Sequence, residues 1–293
     1  MKIMFPINIV VDSSNVAASL YDTYDIATPY TTGQKVYLST NYGEYEARTN
    51  NTGMDPSLSP TDWKFLGTAN RFKMFDQFLN TQTSNTGTIE VSISAYGANA
   101  IYLGNIDAIS VLIEVIDNDT LTVIETMSYS TYNDVTDWLD YFYGDWLTDT
   151  KDSILYERVT LTQNISFHII IDNGANNALC GISMFGKVRE IGFTQWKVNV
   201  GALDYSTVAI DTSTGATYLQ KGNYAKTLSV DIFTQTELAN SVYKVLTAAR
   251  GTPVVFIGGG YDLLNMYGYI QKFEELVNGP VETAITCQAI GLV

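Results

Sequence analysis

A chain of 293 residues and 32.4 kDa is long for one small module and fits about two domains of ordinary size. Hydrophobic residues make up 46% and charged residues only 16%, which excludes a disordered chain. Sixteen Lys and Arg against 31 Asp and Glu give a formal charge of −15, the wrong sign for a surface that neutralises phosphates, so a nucleic-acid partner is excluded.

Along the chain, Met1 to Val11 carries one Lys and no small-residue cleavage site, so no secretory leader is expected. No apolar run approaches the roughly 18–20 residues that cross a bilayer, so no membrane insertion is expected either. Residues 1–29 are set apart as an N-terminal segment, and residues 30–67 as a small module. In that module the Asn50-Asn51-Thr52-Gly53 turn predicts positive φ at Gly53, and Trp63 is expected to pack under the strand that carries Tyr45.

From Thr68 to about Asn199 the texture is β: Tyr, Thr and Val in short runs, separated by Asn- and Gly-rich turns. Ile89 to Ile93 alternates apolar and polar, as a half-buried strand does. Further strands are predicted at Ser110–Ile116, Leu121–Thr126, Ile154–Leu161, Ile165–Ile171 and Leu179–Phe185. Turns are expected at Asp117-Asn118-Asp119, Asp172-Asn173-Gly174 and Gly186-Lys187. This spacing reads as an antiparallel sandwich over residues 68–200. Asn70, Arg71 and Asp76, at its entrance, are expected to form a polar network holding the module against it.

Residues 201–293 read as a small α+β unit. Thr234-Gln235-Thr236-Glu237 has the form of a capping box, and Leu238, Val242, Val245, Leu246 and Ala249 follow at helical spacing until Gly251 and Pro253. A strand is predicted at Pro253–Ile257, and two more at Tyr267–Phe273 and Thr283–Leu292. Gly258-Gly259-Gly260 lacks the Gly-Lys-Ser/Thr ending of a phosphate loop and reads as a strand connection.

Catalytic chemistry finds little material. Cys180 and Cys287 sit apart in apolar stretches and read as buried free thiols. His168, the single histidine, lies in the strand-like run Ile165–Ile171 and reads as packing, so no catalytic, cofactor or metal residue is assigned. The densest polar feature is Glu114 to Asp152, with ten carboxylates, one Lys and the aromatics Trp138, Tyr141, Phe142, Tyr143 and Trp146. Such a stretch suits solvated loops over packed aromatics, a docking surface for a basic partner, or a calcium site at Asp117 and Asp119; a glycan-cleaving carboxylate pair rests on this stretch alone.

Two resemblances add to this. Tyr30 to Gly67, with Tyr30-Thr31-Thr32-Gly33-Gln34-Lys35-Val36, Tyr45-Glu46-Ala47, Thr52-Gly53 before Pro56, and Trp63, resembles the small carbohydrate-binding modules of chitinases and cellulases. That resemblance implies a three-stranded module, although the family's sugar-stacking aromatic pair is replaced here by Arg48-Thr49. Trp63 to Asp76, with Leu66-Gly67, Asn70-Arg71 and Met74-Phe75-Asp76, is similar to a segment of structural proteins from tailed phages and prophages. Ile191-Gly192-Phe193-Thr194-Gln195, Asp204-Tyr205-Ser206, Arg250-Gly251-Thr252-Pro253-Val254 and Tyr267-Gly268-Tyr269 are further landmarks of that family.

This second resemblance implies a galactose-binding-like jelly roll after the module. It also implies a non-enzymatic virion component of the tail, baseplate or neck, made in the host cytoplasm. Its partners would be other virion proteins and copies of itself in a ring. The alternative is a glycan-binding module for host attachment. Tyr37, Tyr45, Trp63, Trp138, Tyr141, Tyr143 and Trp146 are the candidate interface or glycan contacts, with Trp138 and Trp146 as buried interface anchors.

Overall fold

The computed structural model describes residues 1–132, 138, 142, 150–158, 163–195, 198–277 and 279–293. The protein is mainly β, as the sequence texture predicts. In chain order the strands begin with β1 (Lys2–Pro6) and β2 (Val10–Ser14). A three-stranded sheet follows, from β3 (Lys35–Leu38), β4 (Gly43–Ala47) and β5 (Trp63–Thr68). A 3-10 helix, Asn70–Phe75, leads into β6 (Thr83–Ser94), β7 (Ala100–Asp107), β8 (Ser110–Asp117), β9 (Thr122–Ser130), β10 (Ser153–Glu157) and β11 (Ile165–Glu190). The rest holds β12 (Phe193–Thr194), β13 (Asn199–Asp204), β14 (Thr207–Ile210), β15 (Thr217–Gln220) and β16 (Tyr224–Gln235). After these come the helix Ala239–Ala248, then β17 (Val254–Ile257), β18 (Met266–Val277) and β19 (Glu282–Gly291).

The 26-residue β11 organises the first half. Its residues 165–172 lie between β6 and β8, and residues 179–186 pair with β7. Two separate strands were expected here, with turns at Asp172–Gly174 and Gly186-Lys187; both turns are corrected. Asp172 Oδ1 does accept from Gly174 N at 2.9 Å, but pairing with β6 resumes at Asn177, so the local turn becomes a bulge within one strand. Gly186 stays extended, opposite Pro6 and Ala100. A Cβ there would sit 2.2 Å from the Phe5 carbonyl, so its glycine serves the close approach of β1. Inward residues of β6, β7, β8, β10 and β11, among them Ile93, Leu103, Ile113, Tyr156 and Phe167, share one hydrophobic cluster.

The second half is the sheet β17-β18-β19-β16 with the helix on one face. Val242 and Leu246 of the helix pack with Val230, Ile232, Phe256 and Ile285. The capping box does not form. Thr234 remains in β16 opposite Thr283, the first helical turn is the 3-10 turn Thr236–Leu238, and Gln235 at its start makes no side-chain cap. The cross-strand ladder to β19 holds the backbone of Thr234 extended, which outweighs a cap worth about 1 kcal/mol. At the other end Gly251 has φ 67°, the left-handed stop that its position predicts.

β1 joins the halves. It lies between β11 and β17, with Ile3 in the cluster around the helix and Met4 in a third cluster with Tyr102, Ile182, Val255 and Tyr267. Both side chains are fully buried, on opposite faces, each stabilising by roughly 1.5–3 kcal/mol. The segment 1–29, set apart from the sequence, thus supplies an internal strand of the large sheet, and β2 adds to its β6 edge. With Ile3 and Met4 buried on opposite faces, so short a strand has no alternation to announce it.

Candidate interaction surfaces

The module is built as its turns and aromatics predict. Gly53 has φ 77°, and Trp63 is 1% exposed, paired across the sheet with Ala47 and packed with Tyr30, Val36 and Tyr45. Its indole Nε1 donates to the Met54 carbonyl at 2.8 Å, and the rings of Tyr24 and Tyr30 meet it edge-on at 5.9 and 5.2 Å. Tyr37 and Tyr45 are buried as well. Tyr45 and Trp63 therefore belong to the module's core, while Tyr37 is buried on the other face of its strand; none of the three is a free surface contact.

Where the module meets the rest of the chain, Tyr42 presents a different picture. It has φ 57°, a costly conformation for a bulky residue, and is about half exposed. Its ring stacks on Phe72 at 3.9 Å, and Ala69 N donates to its carbonyl. The pair lines a cleft of about 500 Å³ with Arg71, Asp76, Asn41 and Val10. The expected network among Asn70, Arg71 and Asp76 is distributed differently. Asn70 exchanges hydrogen bonds with the backbone of Ser84, Arg71 Nε donates to the Val16 carbonyl at 2.6 Å, and Asp76 accepts from Phe78 N and Thr81. Burial raises the Asp76 carboxyl above its ordinary value, partly offset by those hydrogen bonds.

Of the acidic-aromatic stretch, Trp138 and Phe142 are described: both are exposed, and their rings stack at 6.0 Å. Exposure of Trp138 fits a surface contact rather than core packing. Tyr141, Tyr143 and Trp146 lie outside the described residues, as do Asp134, Asp137, Asp140, Asp145 and Asp149. Asp117 and Asp119 close a turn through Asp119 N to Asp117 Oδ1, and Asn164 donates to Asp119.

The two thiols are free and buried, pushed up to about 12 by desolvation, which leaves them protonated and unreactive. His168 lies between two carboxylates on neighbouring strands, Nδ1 with Glu114 and Nε2 with Glu90, each at 2.9 Å. Burial lowers its proton affinity, but the two carboxylates more than compensate and raise it above the ordinary imidazole value.

One surface feature was missed in the sequence. β13 runs outward along β16, and beyond it β14 and β15 form a separate two-stranded sheet, an arm spanning residues 203–224. Every residue of β14 and β15 is exposed. Val208 opposes Leu219, and Ile210 lies on the same face two residues on; all three are at least 60% exposed. Between β13 and β14 the chain turns at Asp204, whose Oδ1 accepts from Ser206 N and Oγ.

The arm is clipped at both ends. At the tip Asp211 Oδ1 accepts from Ser213 N and Oγ, its other oxygen accepts from Thr214, and Gly215 turns at φ 73°. These hydrogen bonds pull the Asp211 carboxyl down to about 2. At the base, Gly222 N donates to Ser206 Oγ, and a Cβ on Gly222 would lie 2.5 Å from the Tyr205 carbonyl. The signal was present: Thr207-Val208-Ala209-Ile210 and Thr217-Tyr218-Leu219-Gln220 flank an Asp-to-Gly turn.

Among the described residues, no helix is long and apolar enough to cross a membrane. No protein-family model matches this chain, and neither does any curated protein sequence.

Proposed function

We propose that this chain is a structural protein of a tailed-phage virion, an adaptor of the tail, baseplate or neck that works through protein–protein interfaces. The observation that carries the reading is the arm. A two-stranded prong with Val208, Ile210 and Leu219 turned to solvent is too apolar to be a solvated loop, and it stabilises no core of its own. Preorganised apolar projections suit assembly, because little conformational entropy remains to be lost on docking. In this reading β6 to β11 make the galactose-binding-like jelly roll that displays the module and the arm, Trp138 belongs to a second contact surface, and no step of chemistry is required. Gold-labelled antibody to this chain, imaged on purified particles in negative stain, tests the proposal. Label clustered at the tail or neck supports it, and particles free of label refute it.

A second reading, glycan binding for host attachment, draws on the cleft at Tyr42. An aromatic ring in a costly backbone conformation, beside Arg71 and Asp76, is suited to a sugar's apolar face and hydroxyls. A glycan array with wild type and Tyr42→Ala separates the two readings. Binding that is lost in the variant favours attachment.

A further inference from the structure

The arm needs an occupant for its apolar face, and the chain carries a surface of matching character. Beside the end of β17, a groove of about 390 Å³ is lined by Thr194, Gln195, Val198, Tyr261, Leu263 and Leu264, together with Gly258 and Gly259. None of these side chains is charged. Tyr261 and Leu263 are more than half exposed, and Asp262 lies outside the lining, accepting from Asn265. The chain's own arm does not fill the groove, since Val208, Ile210 and Leu219 are exposed.

Charge decides who can fill it. The chain carries −15, so two copies repel over most of their surfaces. Residues 203–224 hold two carboxylates, Asp204 and Asp211, against Lys221, and the groove lining holds none. A partner selected for complementarity to the acidic body would be basic, and would be met by the acidic surfaces rather than by this nearly neutral arm. A second acidic copy can approach closely only where charge is sparse, and the arm, with a net of one negative charge, and the described groove lining, with no charged side chain, are such places.

We infer that the arm of one copy docks, through Val208, Ile210 and Leu219, into the Tyr261–Leu263 groove of a second copy. Because donor and acceptor are different patches of one chain, the contact is heterologous: it repeats from copy to copy and generates a ring where the rotation closes. The Asp211 turn and the Gly222 crossing hold the arm in its docking shape beforehand. The inference rests on the assembly reading above for its setting.

The test is sedimentation velocity of the full chain over a range of concentrations. Wild type is expected to self-associate; Val208→Asp with Leu219→Asp, and separately Leu263→Asp, are expected to weaken association roughly tenfold or more. Mixing the arm variant with the groove variant is expected to restore a one-to-one pair, because each retains the patch the other lacks. Thr207→Arg, on the opposite face of the arm, is expected to associate as wild type does, and unchanged thermal melts show that the variants fold. A wild type that stays monomeric at every concentration, or variants that associate like wild type, overturn the inference. Chains that self-associate through the arm but are absent from particles leave this inference standing and end the virion reading; label on particles from chains that do not self-associate does the reverse.

Discussion

The three-stranded module and the arm are both small antiparallel units, and they treat their apolar residues in opposite ways. The module folds its sheet over Trp63 and closes around it Tyr30, Val36, Leu38, Tyr45 and Ala47. The arm has two strands and, among the described residues, no third element to cover either face, and turns its largest aliphatics outward. An isolated hairpin is marginal in water, so local clips at Asp211 and Gly222 hold the arm's shape where the module relies on a core. Burial in one unit and exposure in the other separate residues that hold the protein together from residues free to hold something else.

The sharpest way to break this contrast is Trp63→Ala. Emptying a site of that size is expected to cost about 3–5 kcal/mol and to unfold the module in a denaturant titration. A variant that melts like wild type would remove the core role assigned to the indole. Gly53→Ala comes next: a Cβ there would meet only the Ile26 carbonyl, at an ordinary contact distance of 3.9 Å, but φ is 77°, so only the backbone cost of about 1 kcal/mol is expected, measured as a lower melting temperature.

A smaller effect tests the body between them. His168 has its proton affinity raised in the folded state by Glu114 and Glu90, so its contribution is complete below the unfolded imidazole value. It is lost as pH rises through the higher folded value. The melting temperature is therefore expected to fall over that window above pH 6.5, and His168→Gln is expected to flatten that component of the profile. An equal slope in the variant would show that His168 does not supply it. The smallest effect belongs to the arm. Val208→Asp with Leu219→Asp is expected to change folding stability by no more than about 0.5 kcal/mol per site, since both side chains are already in water. A large loss would mean that the arm packs on the body after all.

What was legible in the sequence follows the same division. Period-two patterns such as Ile89–Ile93 and turn glycines such as Gly53 and Gly251 express local rules, and those elements form as read. The continuous β11 was not legible, because its Asp172–Gly174 turn chemistry is present and only pairing with β6 keeps the strand whole. β7 was passed over because its residues are buried on both faces and Asn105 breaks the pattern at φ 51°. The capping box at Thr234 was a valid local signal overruled by the ladder to β19. For the surfaces, aromatics drew the reading toward Tyr37, Tyr45 and Trp63, where ring size speaks as readily for a core as for a contact. The aliphatic arm carried the stronger exposure and the weaker signature.

The place of β1 bears on how such a chain is made. Met4 lies opposite Val188 on one side and Val255 on the other. At ordinary elongation rates of about 5–20 residues per second, this strand leaves the ribosome on the order of ten seconds before its nearer neighbour exists, and later still comes the second. The β11 edge of β1 can pair only once the sequence near residue 190 has emerged, and the β17 edge only once that near residue 257 has, which completes the clusters around Ile3 and Met4. Such long-range closure makes folding slow, and it ties the two halves together so that loosening either one uncovers apolar side chains belonging to the other.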